Sequence, residues 1–202
     1  MNFGLYVILT KPILPYAEIT EICVKHKIKY IQLREKNIDD KQLLTIAKTI
    51  KSITNGTDTK FIINDRADIC MLANADGIHL GQDDISLADA KKILSNDKII
   101  GLSTHNILQA KQAISEKPDY IGFGPVYKTP TKEKPDPVVG CDLLKQVISF
   151  STVPVVAIGG IDETNLNEVL STGAENICLV RYLMETTNFE EKLIYIKNKL
   201  ER

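Results

Sequence analysis

Asp65 and Asp84 are the residues in this chain whose type and placement most directly suggest chemistry. Each follows a short apolar run, 61–63 and 77–80, within the stretch FIINDRADICMLANADGIHLGQDD at 61–84. The spacer between the runs, 66–75, has room only for a short helix. A strand, a helix and a second strand form a parallel βαβ unit whose strands point the same way. The two strand tips are then neighbours, and both carboxylates lie on one rim. Converging carboxylates suit a hard divalent cation, here Mg²⁺, with water and a substrate phosphate completing the octahedron. The plainer reading is that both aspartates are solvated loop residues or helix N-caps.

The rest of the chain supplies the frame. The continuous apolar run 5–10 ends at Pro12 and reads as a first strand. Strand-length runs recur at 30–33, 61–63, 77–80, 99–102, 120–123, 153–158 and 176–180. Between them, apolar residues fall at helical spacing: Ile19, Ile22 and Cys23; Leu43, Leu44, Ala47 and Ile50; Leu87, Ala90, Ile93 and Leu94. Further helices are expected at 107–115, 142–149, from Glu163 to Gly173, and at 189–200, with Asp39 or Asp40 and Ser86 as caps. Eight uninterrupted strand-then-helix units predict one α/β domain over residues 1–202, a compact (β/α)₈ TIM barrel. The competing open doubly wound sheet usually carries a Gly-rich turn after its first strand, and this chain has none there.

Composition removes several classes. A formal net charge of −1 lacks the basic excess that a nucleic-acid partner demands. No apolar run approaches the ~20 residues that span a bilayer, and the first residues do not read as a secretory signal. Cys23, Cys70, Cys141 and Cys178 are widely spaced without CxxC pairing, so they read as small hydrophobes in a reducing compartment, and a zinc site is not expected. The expectation is a cytoplasmic protein with no membrane and no nucleic-acid partner. Its oligomeric state, homo-oligomer included, stays open.

In such a barrel the site forms at the C-terminal ends of the strands. Read in order, those ends carry Gln32, Leu33, Arg34, Glu35 and Lys36; Asn64 and Asp65; Asp84; Ser103, Thr104 and His105; Thr129, Pro130, Thr131 and Lys132; Gly159 and Gly160; and Val180 and Arg181. Cations, hydroxyls, glycines and two acids on one rim suit a phosphorylated small molecule plus a metal. Arg34, Lys36 and Lys132 supply charge-assisted donors, and Gly160 lets backbone N–H groups come close to a phosphate. Each piece has a plainer alternative: Arg34 and Lys36 paired with Glu35 at the surface, Gly159–Gly160 as a tight turn, the TPTK segment as a rigid exposed loop. His79 reads as a core or rim histidine, His105 as a neighbour of the ligand, and His26 as solvated. The long loop at 124–140 is a candidate lid.

Taken together, QLREK (32–36), INDR (63–66), GIHLGQDD (77–84), GLSTH (101–105), GFGPVYKTPTK (122–132) and AIGGI (157–161) resemble the thiamine phosphate synthase family. The six motifs occur in the family's order over nearly the whole chain. The family joins a hydroxymethylpyrimidine diphosphate to a thiazole phosphate and releases pyrophosphate. The resemblance implies that Gln32, Leu33, Arg34, Glu35, Lys36, Asn64, Ser103 and Lys132 hold the pyrimidine diphosphate, with Arg34, Lys132 and Ser103 catalytic. It implies Mg²⁺ on Asp65 and Asp84, and thiazole phosphate on Thr129, Pro130, Thr131, Gly160, Val180 and Arg181.

The chain departs from the family pattern at Arg181, where the family usually carries serine. Thiazole tautomerases, on the same barrel, lose much of the metal set and place a histidine just after strand six; this chain has Pro125 there and keeps Asp65, Asp84 and Lys132. A silent phosphate-ligand regulatory protein is the alternative from another class.

Overall fold

The computed structural model describes residues 2–129 and 136–200. Eight parallel strands close on themselves in sequence order: β1 (Leu5–Leu9), β2 (Tyr30–Leu33), β3 (Lys60–Asn64), β4 (Gly77–Leu80), β5 (Ile99–Thr104), β6 (Tyr120–Phe123), β7 (Val155–Ile158) and β8 (Asn176–Cys178). The last strand pairs back on the first, Leu5 opposite Ile177 and Tyr6 opposite Cys178. This is the expected (β/α)₈ barrel. The connecting helices are α1 (Tyr16–Lys25), α2 (Asp40–Thr54), α3 (Ala67–Leu72), α4 (Leu87–Ile93), α5 (Ile107–Ser115), α6 (Gly140–Phe150) and α7 (Leu166–Ser171). After β8 come a short α8 (Arg181–Met184) and the closing α9 (Phe189–Leu200). No helix among the described residues is long and apolar enough to cross a membrane.

Several boundaries differ from the sequence reading by a few residues, and three of the differences have a clear local reason. β7 begins at Val155 rather than Val153, because Pro154 has no N–H to give the ladder. α7 begins at Leu166 rather than Glu163: Asp162 accepts from the Thr164 N–H, and the Asn165 amide donates to the Gly160 carbonyl, so the loop is tied down before the helix starts. β8 stops at Cys178, and the chain turns at Val180 into α8. The expected caps are in place. Asp39 accepts from the Gln42 N–H and Ser86 from the Asp89 N–H, each satisfying a donor that the helix itself leaves open.

Strand side chains alternate between two cores. Leu5, Val7, Leu9, Ile31, Leu33, Phe61, Ile63, Ile78 and Leu80 point outward against the helices, where each buried aliphatic or aromatic side chain contributes roughly 1.5–3 kcal/mol. The opposite face fills the barrel interior with Phe3, Tyr6, Ile8, Tyr120, Val156 and Cys178. Cys23 and Cys70 are buried in the outer core, Cys141 is half-buried, and all four cysteines are free thiols. Burial pushes the Cys70 thiol up to about 11, in keeping with an inert packing role.

The interior is aromatic at its closed end. The Tyr6 and Tyr120 rings meet edge to face with centroids 5.6 Å apart, and Phe3 lies 6.2 Å from Tyr6 and 6.0 Å from Tyr120. Tyr120 crosses the barrel over Gly101, its register partner on β5. A Cβ at position 101 would sit 2.1 Å from the Tyr120 Cζ and 2.5 Å from its Oη. Gly101→Ala is therefore expected to displace the Tyr120 ring and to destabilise the protein by about 2–3 kcal/mol, read as a lower urea midpoint at unchanged slope.

Candidate functional site

The two acids meet. Asp65 ends β3 in a left-handed conformation (φ 62°), which short polar side chains tolerate better than most. Its N–H still donates to the His79 carbonyl at 2.9 Å, so the ladder to β4 continues while the side chain turns over the rim. There it lies within hydrogen-bonding reach of Asp84, and Lys36 Nζ is 3.0 Å from its Oδ2. Burial and the Asp84 carboxyl raise the Asp65 pKa, and Lys36 opposes the rise. Asp84 is fixed in turn by the Gly81 N–H, which donates to Oδ2 at 2.6 Å. Among the described residues no three His, Cys, Asp or Glu side chains gather as a complete metal cage. Two carboxylates sharing excess negative charge fit a cation that takes its remaining ligands from water and a phosphate, which is the habit of Mg²⁺.

The acids line a cavity of about 1000 Å³ at the barrel mouth, together with Arg34, Lys36, Asn64, Ser103, Val180 and Arg181. All of these are residues expected from the sequence. Three others are differently placed: strand alternation turns two of them outward, and depth along the barrel separates the third. Leu33 faces outward into the core under the helices, so only its backbone is available to a ligand. Glu35 also turns away; it accepts from the Tyr16 hydroxyl at 2.7 Å and from the Lys11 N–H, anchoring the loop after β1. Gln32 points inward but below the mouth, 1% exposed, with its Nε2 donating to Tyr6 Oη at 2.8 Å. Neither Arg34 nor Lys36 pairs with Glu35 as the plainer surface reading supposed.

The histidines divide by role. His79 bridges the interior and the rim: Nδ1 is 3.0 Å from Tyr120 Oη, and Nε2 is 2.8 Å from Ser103 Oγ. His105 lines the cavity and reaches across to the loop after β6, with Nδ1 2.6 Å from the Gly124 carbonyl oxygen and Nε2 3.4 Å from Asp136. His26 is not simply solvated; its Nε2 lies 2.6 Å from Glu190 and ties α1 to α9, and this contact, helped by Lys25, lowers the Glu190 pKa. The sequence reading did not single out Tyr6, Tyr120 or Gln82, whose Nε2 donates to the Ser103 carbonyl at 2.6 Å. Gly101 and Tyr120, a small residue facing a large one on adjacent strands, become a recognisable pair only once the register of β5 and β6 is known.

A second recess, about 310 Å³, opens beside the first and is lined by Lys128, Thr129, Gly160, Asp162, Val180 and Arg181 among others. Val180 and Arg181 border both spaces. Gly160 has φ 67°, and a Cβ there would stand 2.7 Å from the carbonyl oxygens of Tyr127 and Lys128, so the position requires glycine twice over. The Gly159–Gly160 pair is thus a tight turn whose second residue also walls this recess. Between the two spaces lies a slot of about 90 Å³ whose walls include Ile8, Gly122, Pro125 and Ile158, with Arg34 and Ser103 at its edge. Pro130, Thr131 and Lys132, and with them part of the candidate lid at 124–140, lie outside the described residues.

The chain is similar to known proteins over nearly its whole length. The family described as thiamine monophosphate synthase matches residues 5–183. A thiamine-phosphate synthase of Persephonella marina is 42% identical over 206 aligned positions, covering all of this chain and 97% of its own. One from a Synechocystis strain is 39% identical over 98% of this chain, which spans only 57% of that longer protein. Among solved structures, a thiamine phosphate pyrophosphorylase from Pyrococcus furiosus superposes with a TM-score of 0.86 at 31% identity, covering 98% of this chain and 96% of its own. A 3-hexulose-6-phosphate synthase, at 15% identity and TM-score 0.72, shares the fold alone. Over nearly its whole length, then, this chain belongs to the thiamine monophosphate synthase family.

Proposed function

We propose that the protein is a thiamine-phosphate synthase, a transferase that joins a pyrimidinylmethyl diphosphate to a thiazole phosphate. The observation that carries this reading is the pairing of two polar, cation-bordered recesses through an apolar slot. Each recess suits a phosphoryl group, and the slot suits flat heterocycles meeting between them. The larger recess holds the two acids and would take the diphosphate; the smaller, walled by Thr129 and Gly160, would take the monophosphate. A tautomerase is disfavoured by Pro125 and by the retained acids.

In the reaction, the bond between the methylene carbon and the diphosphate oxygen breaks, and its electron pair leaves with the diphosphate. The thiazole nitrogen then gives its lone pair to that carbon, with the pyrimidine ring stabilising the positive charge in between. Arg34 and Lys36 border the diphosphate recess as charge-assisted donors for the departing group. Mg²⁺ on Asp65 and Asp84 would supply further neutralisation of the leaving group. Ser103 stands where the recess meets the slot and is suited to a polar contact at the junction. Lys132 joins this set by resemblance. No protein nucleophile takes part, so positioning and electrostatics carry the rate.

The raised Asp65 pKa gives a test. Because the folded value lies above the unfolded one, stability falls as pH rises through the interval between them, and ionising Asp65 is a net cost to the metal-free fold. Asp65→Asn is expected to melt slightly higher than wild type in metal-free buffer at pH 7. It should also lose the rise in melting temperature that Mg²⁺ with pyrophosphate gives wild type. Its turnover, followed as pyrophosphate release with both substrates, should drop at least about a hundredfold. Wild-type turnover, or an unchanged Mg²⁺ response, would remove Asp65 from the metal site.

Arg181 allows a second test. Its place on both recess walls predicts a guanidinium contact to the thiazole phosphate, so Arg181→Ser should raise the KM for that substrate about tenfold and leave the KM for the pyrimidine diphosphate nearly unchanged. Equal affinities in the two proteins would mean that only the backbone at this position matters.

A further inference from the structure

Gln32, Tyr6, Tyr120, His79 and Ser103 form a continuous line of hydrogen bonds through the barrel interior. The links are 2.8 Å from Gln32 Nε2 to Tyr6 Oη, 2.7 Å from Tyr6 Oη to Tyr120 Oη, 3.0 Å from Tyr120 Oη to His79 Nδ1, and 2.8 Å from His79 Nε2 to Ser103 Oγ. The five residues come from β2, β1, β6, β4 and β5, so the line crosses most of the barrel. It starts in the closed interior, where Gln32, Tyr6 and Tyr120 are each no more than 2% exposed, and ends at the cavity.

Proton counting gives the line a direction. An amide nitrogen only donates, so Tyr6 Oη accepts from Gln32 and must place its own single proton elsewhere. The phenol within reach is Tyr120, which therefore accepts from Tyr6 and donates onward to His79 Nδ1. Burial raises the pKa of both phenols, so each keeps its one proton and the count holds. With Nδ1 accepting, the neutral imidazole carries its proton on Nε2 and donates it to Ser103 Oγ. The serine hydroxyl proton is then directed away from the histidine.

We propose that this polarised chain makes His79 a positioning residue: it holds Ser103 as a hydrogen-bond donor towards the cavity, ready for an acceptor oxygen or ring nitrogen of the substrate. The proposal rests on the reading of Ser103 as a substrate contact made above. In this view the buried tyrosines influence the reaction without touching the substrate. A purely structural role would predict instead that they affect stability alone.

Two measurements test it. Histidine-selective heteronuclear NMR of the ligand-free wild type reads the ring tautomers, and only three histidines have to be assigned. The expected state of His79 is neutral, with the proton on Nε2; a proton on Nδ1, or an imidazolium at neutral pH, overturns the chain. This readout needs no turnover, so a wild type inactive on both substrates would count against the proposed reaction while the tautomer still decides the proposal. The second measurement is a double-mutant cycle of Tyr120→Phe and Ser103→Ala, followed as kcat and KM. Tyr120→Phe removes a hydroxyl that is buried beneath His79 and does not line the cavity, yet it is expected to lower kcat/KM about tenfold while the protein remains folded. Its effect should largely vanish in the Ser103→Ala background. Wild-type kcat/KM in Tyr120→Phe, or additive effects in the cycle, would overturn the proposal.

Discussion

The closed parallel ladder is the constraint on which everything else depends. Once β8 pairs with β1, no strand edge remains, every strand has a fixed inner and outer face, and all eight C-terminal ends gather at one mouth. Residues widely separated in sequence, such as Arg34, Asp84, Ser103 and Arg181, become neighbours through this closure alone. The same alternation sends Leu33 and Glu35 outward and keeps Gln32 and Arg34 inside. The site is therefore less a set of loops than the open end of a sorted interior.

The mouth also carries a stability cost that its proposed chemistry explains. Asp65 adopts an uncommon backbone conformation and brings a partly buried carboxylate against a second one, with Lys36 as partial relief. Folding alone gains nothing from this arrangement. Such concentrated like charge is characteristic of sites tuned for a ligand rather than for the fold. The floor of the barrel shows the opposite design, with its polar atoms paired among themselves.

The barrel was legible from the sequence because its signals are local. Apolar runs of strand length, helical spacing between them and the caps at Asp39 and Ser86 all survive in the folded protein. The convergence of Asp65 and Asp84 was legible too, since it needs only one βαβ unit. What sequence could not resolve was phase and depth. Whether Leu33 faces a ligand or a helix depends on register around the whole closed ring, and Gln32 differs from Arg34 only in its height along the barrel. The tyrosine and histidine line was hidden for a related reason: its members lie on five strands, and nothing short of the assembled interior brings them together. Boundaries shifted where a single local group intervened, Pro154 at β7 and the Asp162–Asn165 loop ties at α7.

The fit of Tyr120 over Gly101 has a consequence for how this interior can change over generations. The two positions share one volume: a side chain at 101 needs the space that the phenol fills, and a smaller residue at 120 would leave a void beneath a bare glycine. Either change alone is penalised, whereas a reciprocal exchange of bulk between the two strands conserves the packing. The pair should therefore drift as a unit, and any lineage that trades Tyr120 for a smaller residue would also give up the hydroxyl beneath His79.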